Sequence, residues 1–112
     1  MTVEKLLQQE RELERAKLNC ETARIPWRDL QRFFAGGKLL WICADLDLVD
    51  CALAIQQNDL PTVQAWTESG QLAAATDAQA RLWFERDALL WAVVVKPWVL
   101  VQEPAPDVAG AD

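Results

Sequence analysis

The sequence predicts a single small α+β domain in which helices cover a sheet of about three strands, in the order α-α-β-α-α-β-α-β. Three observations carry that reading. Ala88 to Val101, ALLWAVVVKPWVLV, is almost wholly apolar and rich in β-branched residues and tryptophan, and is broken once, by Lys96-Pro97. A membrane helix needs about 20 apolar residues, so this interrupted run reads instead as strand buried on both faces, at Val93-Val94-Val95 and Val99-Leu100-Val101. The segments before it carry helical apolar spacing bounded by capping residues and glycines. Finally, a chain of 112 residues with 52% apolar side chains suits one domain whose core needs no disulfide or metal staple.

Thr2 to about Cys20 is built of strong helix formers, with Leu6, Leu13 and Cys20 recurring every seven residues. Pairs at i,i+3, Glu12–Arg15 and Glu14–Lys17, support its wet face. Glu10 interrupts its apolar stripe and the helix is short for a coiled coil, so it suits packing on its own domain first and, second, an arm that docks on a second subunit. Pro26 fits the first turn of a second helix, with Trp27, Leu30, Phe33 and Phe34 as its apolar face and Gly36-Gly37 ending it. Leu39 to Ala44 is apolar on both alternating faces and reads as an inner strand.

Asp45 is a candidate N-cap for a third helix running to about Gln57. Asn58-Asp59 makes a turn, and Pro61 opens a fourth helix with Leu60, Val63 and Trp66 aligned. Gly70 stops that helix, and Leu72 to Ala75 is a short, weak strand. Thr76-Asp77-Ala78-Gln79 has capping-box spacing, which predicts a fifth helix to about Arg86. In the last strand region Lys96-Pro97 marks a bulge, a bend or an edge. The resulting organisation is an amphipathic helix over residues 1–20, a compact α+β domain over 21–103 and a tail over 104–112, PAPDVAGAD, expected to be mobile.

Charge excludes several functions. The total is −6, yet residues 1–38 carry eight bases against six acids and residues 39–112 carry three against eleven. No positive side chain lies between Lys38 and Arg81. Such a balance gives no electrostatic reason to seek nucleic acid or anionic membrane. Cys20, Cys43 and Cys51 are odd in number and lack CxxC spacing, so they are expected to be reduced, buried thiols of a cytoplasmic protein. The opening MTVEKLLQQERELER is too polar for a secretory signal.

There is no histidine or tyrosine, and Ser69 is the one serine. That inventory removes Ser-His-Asp and Cys-His catalysis, and too few cysteines remain for a zinc site. Gly36-Gly37 is an isolated pair, not a phosphate loop. No cofactor is expected.

Two constellations have to be weighed against plainer readings. Leu46 to Ser69 has the look of a helix-turn-helix and, with the preceding helix and strand, follows winged-helix order up to the second strand. Its second helix offers Thr62, Gln64, Thr67 and Glu68, however, and the pair carries Asp47, Asp50, Asp59 and Glu68 with no base. A DNA reader needs phosphate-neutralising bases, so two helices closing a core through Val49, Leu53, Val63 and Trp66 is the better reading. The strand ending at Asp45-Leu46-Asp47 resembles the nucleophile loop of haloacid-dehalogenase-type phosphatases, where two carboxylates help to hold Mg²⁺. The later elements of such a site are missing, which favours helix capping by Asp45 with Asp47 and Asp50 complementing the helix dipole.

The six tryptophans are many for this length, and a domain this small is not expected to hide them all. An exposed aromatic patch at Trp27 rimmed by Arg24, Arg28 and Arg32 is therefore a candidate binding surface, the alternative being that these arginines are only the wet face of the second helix.

Cys20–Trp27 (CETARIPW), Leu30, Arg32–Gly36 (RFFAG), Leu46–Val49 (LDLV), Val63 with Trp66, and Trp91–Glu103 (WAVVVKPWVLVQE) together resemble a family of small bacterial proteins catalogued as domain of unknown function 2288. The resemblance covers about Leu18 to Glu103. It implies a bacterial cytoplasmic protein and supplies no catalytic residue. The function expected from the sequence is a non-enzymatic protein-interaction module that self-associates or binds a protein partner. The alternatives are a divalent-metal-dependent phosphoryl enzyme using Asp45 and Asp47 and, last, a nucleic-acid binder.

Overall fold

A computed structural model describes residues 2–104. The first helix, α1 (Val3–Glu21), is followed by β1 (Ala23–Pro26), α2 (Trp27–Ala35), β2 (Leu39–Ile42), α3 (Leu48–Gln56), α4 (Leu60–Glu68), β3 (Leu72–Ala74), α5 (Asp77–Glu85), β4 (Leu89–Val95) and β5 (Trp98–Gln102). The α+β class is as the sequence predicts. The strand count is not, because the sheet has five strands in the order β1-β4-β5-β2-β3. The tail predicted over 104–112 falls, apart from Pro104, outside the described residues.

Two physical facts account for the extra strands. The C-terminal apolar run is two strands, because Lys96-Pro97 turns the chain back on itself and pairs Val95 with Trp98 and Val94 with Val99, antiparallel. Strand β1 is only Ala-Arg-Ile-Pro, too short and too exposed to show alternation, and it exists through pairing with β4. Pro26 accordingly ends β1 and stands just before α2, without a side-chain capping bond, rather than in its first turn. β5 pairs in parallel with β2, and every other pairing is antiparallel.

Side chains alternate across β5, so Val99 and Val101 point to one face and Leu100 to the other. Each face carries its own core. On the Leu100 face, Ile42, Leu72, Val93 and Val95 meet Leu18 of α1 and Leu48, Val49, Cys51 and Ala52 of α3, with Val63 and Trp66 of α4 packed alongside. On the opposite face, Leu39, Leu90, Ala92, Val99 and Val101 meet Trp27 and Leu30 of α2 and Ala80 and Trp83 of α5. Trp27 and Trp83 lie with ring centroids 5.5 Å apart.

The helix ends follow local chemistry. Thr76 and Gln79 form the expected capping box on α5. Gly37 and Gly70, at φ +72° and +81°, occupy the left-handed conformation that lets the chain leave α2 and α4. Among the described residues no helix is long and apolar enough to cross a membrane.

Leu100 is fully buried at the centre of the sheet. Leu100→Ala is expected to lower unfolding free energy by about 2–5 kcal/mol, read from urea denaturation monitored by tryptophan fluorescence.

Candidate functional site

The basic, aromatic patch read from the sequence does not assemble. Trp27 is 4% exposed, packed between Trp83 and the edge of Phe34 in the α2–α5 core, and offers no anchor to a partner. Arg28 and Arg32 do lie on the exposed side of α2, with the Arg32 guanidinium 4.8 Å from the Phe33 ring centroid. Arg24 belongs to β1, beside Trp91, with its guanidinium 5.6 Å from that ring. Trp91 alternates with Val93 and Val95 and so faces the α1 side of the sheet, opposite to α2. These residues are close along the chain, but the strand separates them onto two faces.

The acidic pair is also divided. Asp47, not Asp45, caps α3. One oxygen, Oδ1, accepts from the backbone N–H groups of Val49 at 2.8 Å and Asp50 at 3.1 Å. Its Oδ2 accepts from Arg15 Nη2 at 3.3 Å, while Arg15 Nε donates to Asp50 at 2.8 Å. Those contacts, with the Asp50 hydrogen bond foremost, raise the Arg15 pKa above its ordinary value. Asp45 sits exposed in the turn before the helix. The helix starts later than expected because residues 43–46 are held as a turn by Gln102, whose amide donates to the carbonyls of Cys43 at 2.8 Å and Leu46 at 2.7 Å. Among the described residues, no group of three or more His, Cys, Asp or Glu side chains is arranged to hold a metal ion.

The helical pair packs as a core element. Helix α3 buries five residues and α4 buries none, resting Val63 and Trp66 on the core. Asp59, on the turn between them, caps α4. Of the three cysteines only Cys51 is buried; Cys20 is exposed and Cys43 half-buried, so the expectation of three buried thiols is corrected. Burial above all, then the nearby Asp50 and Asp47 carboxylates and Cys43, pushes the Cys51 thiol up to about 12.

One surface is not legible in the sequence and a second is legible only in part. The first is a cleft of about 680 Å³ between the C-terminal end of α1, the α3–α4 turn and the sheet. Its floor is apolar, from Leu18, Leu40, Val63, Leu72, Val95 and Trp98, and its rim balances Lys17 and Lys96 against Glu21 and Asp59. These residues come from separate elements and turns, so no local pattern announces them. The other is the outer side of α1. This helix, about 28 Å long at 1.5 Å per residue, buries only Leu18. On that outer side Leu6 and Leu13 are 51% and 71% exposed, whereas Leu7, 57% exposed, lies on the α3 side beside Leu53 and Gln56. The seven-residue spacing was legible; that the domain leaves it uncovered was not.

Asp47→Ala removes the cap of α3 and is expected to cost about 0.5–2 kcal/mol of stability in chemical denaturation. Cys51 supplies a pH test. Its folded pKa lies above the ordinary 9.0, so below that value the native and unfolded chains both keep the proton. From pH 9 towards 12 the unfolded chain loses a proton that the native chain retains, and stability falls. The fall should be shallower in Cys51→Ala, measured by urea midpoints across that range.

Comparison with known proteins places this architecture. A search of curated proteins returns no significant match. The solution NMR structure of PA1075 from Pseudomonas aeruginosa is similar, at 48% sequence identity and a TM-score of 0.74, over 83% of this chain and 86% of that one. The family model described as protein of unknown function (DUF2288) matches residues 13–103, which takes in every strand, helices α2 to α5 and the buried end of α1, and the chain belongs to this family.

Proposed function

We propose that this chain is a non-enzymatic, self-associating protein-interaction module of the bacterial cytoplasm, and that α1 is the element through which it associates. The observation that carries the proposal is the exposed row of Leu6, Leu13 and Cys20 on a helix whose register is held by Leu18 and by Arg15 bonded to Asp47 and Asp50. An apolar row on a rigid element is the kind of surface that marks an interaction site, whereas single exposed apolar residues are ordinary. Because the helix is already folded against α3, association need not meet the cost of nucleating it.

The phosphoryl-enzyme alternative draws little support from this geometry. Both oxygens of Asp47 are engaged, in the helix cap and in the pair with Arg15. The nucleic-acid alternative has the acidic, base-free helical pair against it.

Sedimentation velocity across a concentration series tests the proposal. The natural chain is expected to form a defined oligomer, and Leu6→Glu/Leu13→Glu to sediment as a monomer with an unchanged far-UV circular dichroism spectrum. A natural chain that remains monomeric up to millimolar concentration overturns it.

A further inference from the structure

We infer that α1 pairs with α1 of a second copy as a parallel, in-register, two-stranded coiled coil, an inference that rests on the self-association proposed above. Position around the helix is the first argument. At about 100° per residue, Leu13 lies about 140° from Leu18, which points into the core. Leu6, Leu13 and Cys20 form one row, with Gln9 and Ala16 beside it, and all five are exposed. The middle of this stripe lies opposite the side that packs on α3 through Leu18. A second helix can therefore lie along it with each domain on the outside of the pair, related by a two-fold axis along the helices.

Spacing is the second argument. Leu6, Leu13 and Cys20 occupy a positions of a heptad, and Gln9 and Ala16 the d positions. Lys5 and Glu12 then fall at g, and Glu10 and Lys17 at e. In a parallel pair, g of one helix meets e of the following heptad on its partner. Lys5 thus meets Glu10 of the second copy and Glu12 meets Lys17 of the second copy, and two-fold symmetry repeats both contacts. All these pairs are attractive. In an antiparallel pair, e faces e and g faces g: Glu10 finds Lys17 and Glu12 finds Lys5, so the flanking charges are matched there too, but Leu6 and Leu13 at a then face Ala16 and Gln9 at d instead of each other. Charge complementarity therefore selects a second copy of this chain, and the stacking of leucine on leucine selects the parallel orientation.

The decisive experiment is a charge swap read by analytical ultracentrifugation. Glu12→Lys sets two positive charges against each other in both symmetry-related contacts, because Lys17 of the second copy is the facing residue. Lys17→Glu does the reverse, setting a second carboxylate against Glu12. Each variant alone is expected to weaken the homodimer by about tenfold or more at low salt. The double variant Glu12→Lys/Lys17→Glu should recover the natural affinity, and an equimolar mixture of the two single variants should form a heterodimer preferentially. With the thiol oxidant diamide, the natural dimer should cross-link through Cys20, and Cys20→Ser should not. A natural chain that is monomeric overturns self-association and this inference together. A dimer that is dissociated by Leu6→Glu/Leu13→Glu, yet is not restored by Glu12→Lys/Lys17→Glu and does not cross-link at Cys20, overturns the parallel register alone.

Discussion

β5 is the strand on which both cores are built. Its three central residues, Val99, Leu100 and Val101, are all buried, two facing the α2–α5 layer and one facing the α1–α3–α4 layer. It also joins the two halves of the sheet, antiparallel to β4 on one side and parallel to β2 on the other. A strand covered on both faces and paired along both edges has its backbone groups satisfied and its side chains out of water. The remaining elements are arranged around that constraint. At its end, Gln102 extends the control beyond the sheet by holding the turn that leads into α3.

That turn links the core to the outer surface. By holding residues 43–46, Gln102 sets where α3 can begin, and Asp47 then caps it. The same Asp47 and its neighbour Asp50 receive Arg15, which orients α1 about its own axis. These ion pairs are solvent-exposed, so their role is to select an orientation more than to supply stability. Leu18 provides the apolar anchor. One buried leucine and one arginine thus decide which side of a long helix faces the domain and which side is left to water.

Of the two carboxylates that look like a reactive pair along the chain, Asp47 caps α3 and holds Arg15, while Asp45 stands exposed in the turn before the helix. Orienting α1 is shared instead by Asp47 and Asp50, and burial beside them keeps the Cys51 thiol protonated. The cleft beside α4 arises from the same layer: α4 buries no residue of its own, so it leaves the apolar floor of the sheet incompletely covered.

By itself the sequence determined the α+β class, the five helices, the capping box of α5, the glycines that end α2 and α4, the inner strands and the seven-residue row on α1, because each is written in local spacing and capping chemistry. It also determined the acidic, histidine-free inventory that excludes whole classes of catalysis. Only the tertiary structure decided that Lys96-Pro97 is a hairpin turn, that Ala23–Pro26 is a strand, and that Trp27 is core while Arg24 lies across the sheet from α2. Those outcomes depend on partners distant in the chain: β1 has no alternation of its own, and Trp27 is buried by Trp83. The same holds for α1. Its row of leucines is a property of the sequence, but which side of the helix stays exposed is set by Leu18 and Arg15 meeting a core and two carboxylates some thirty residues away.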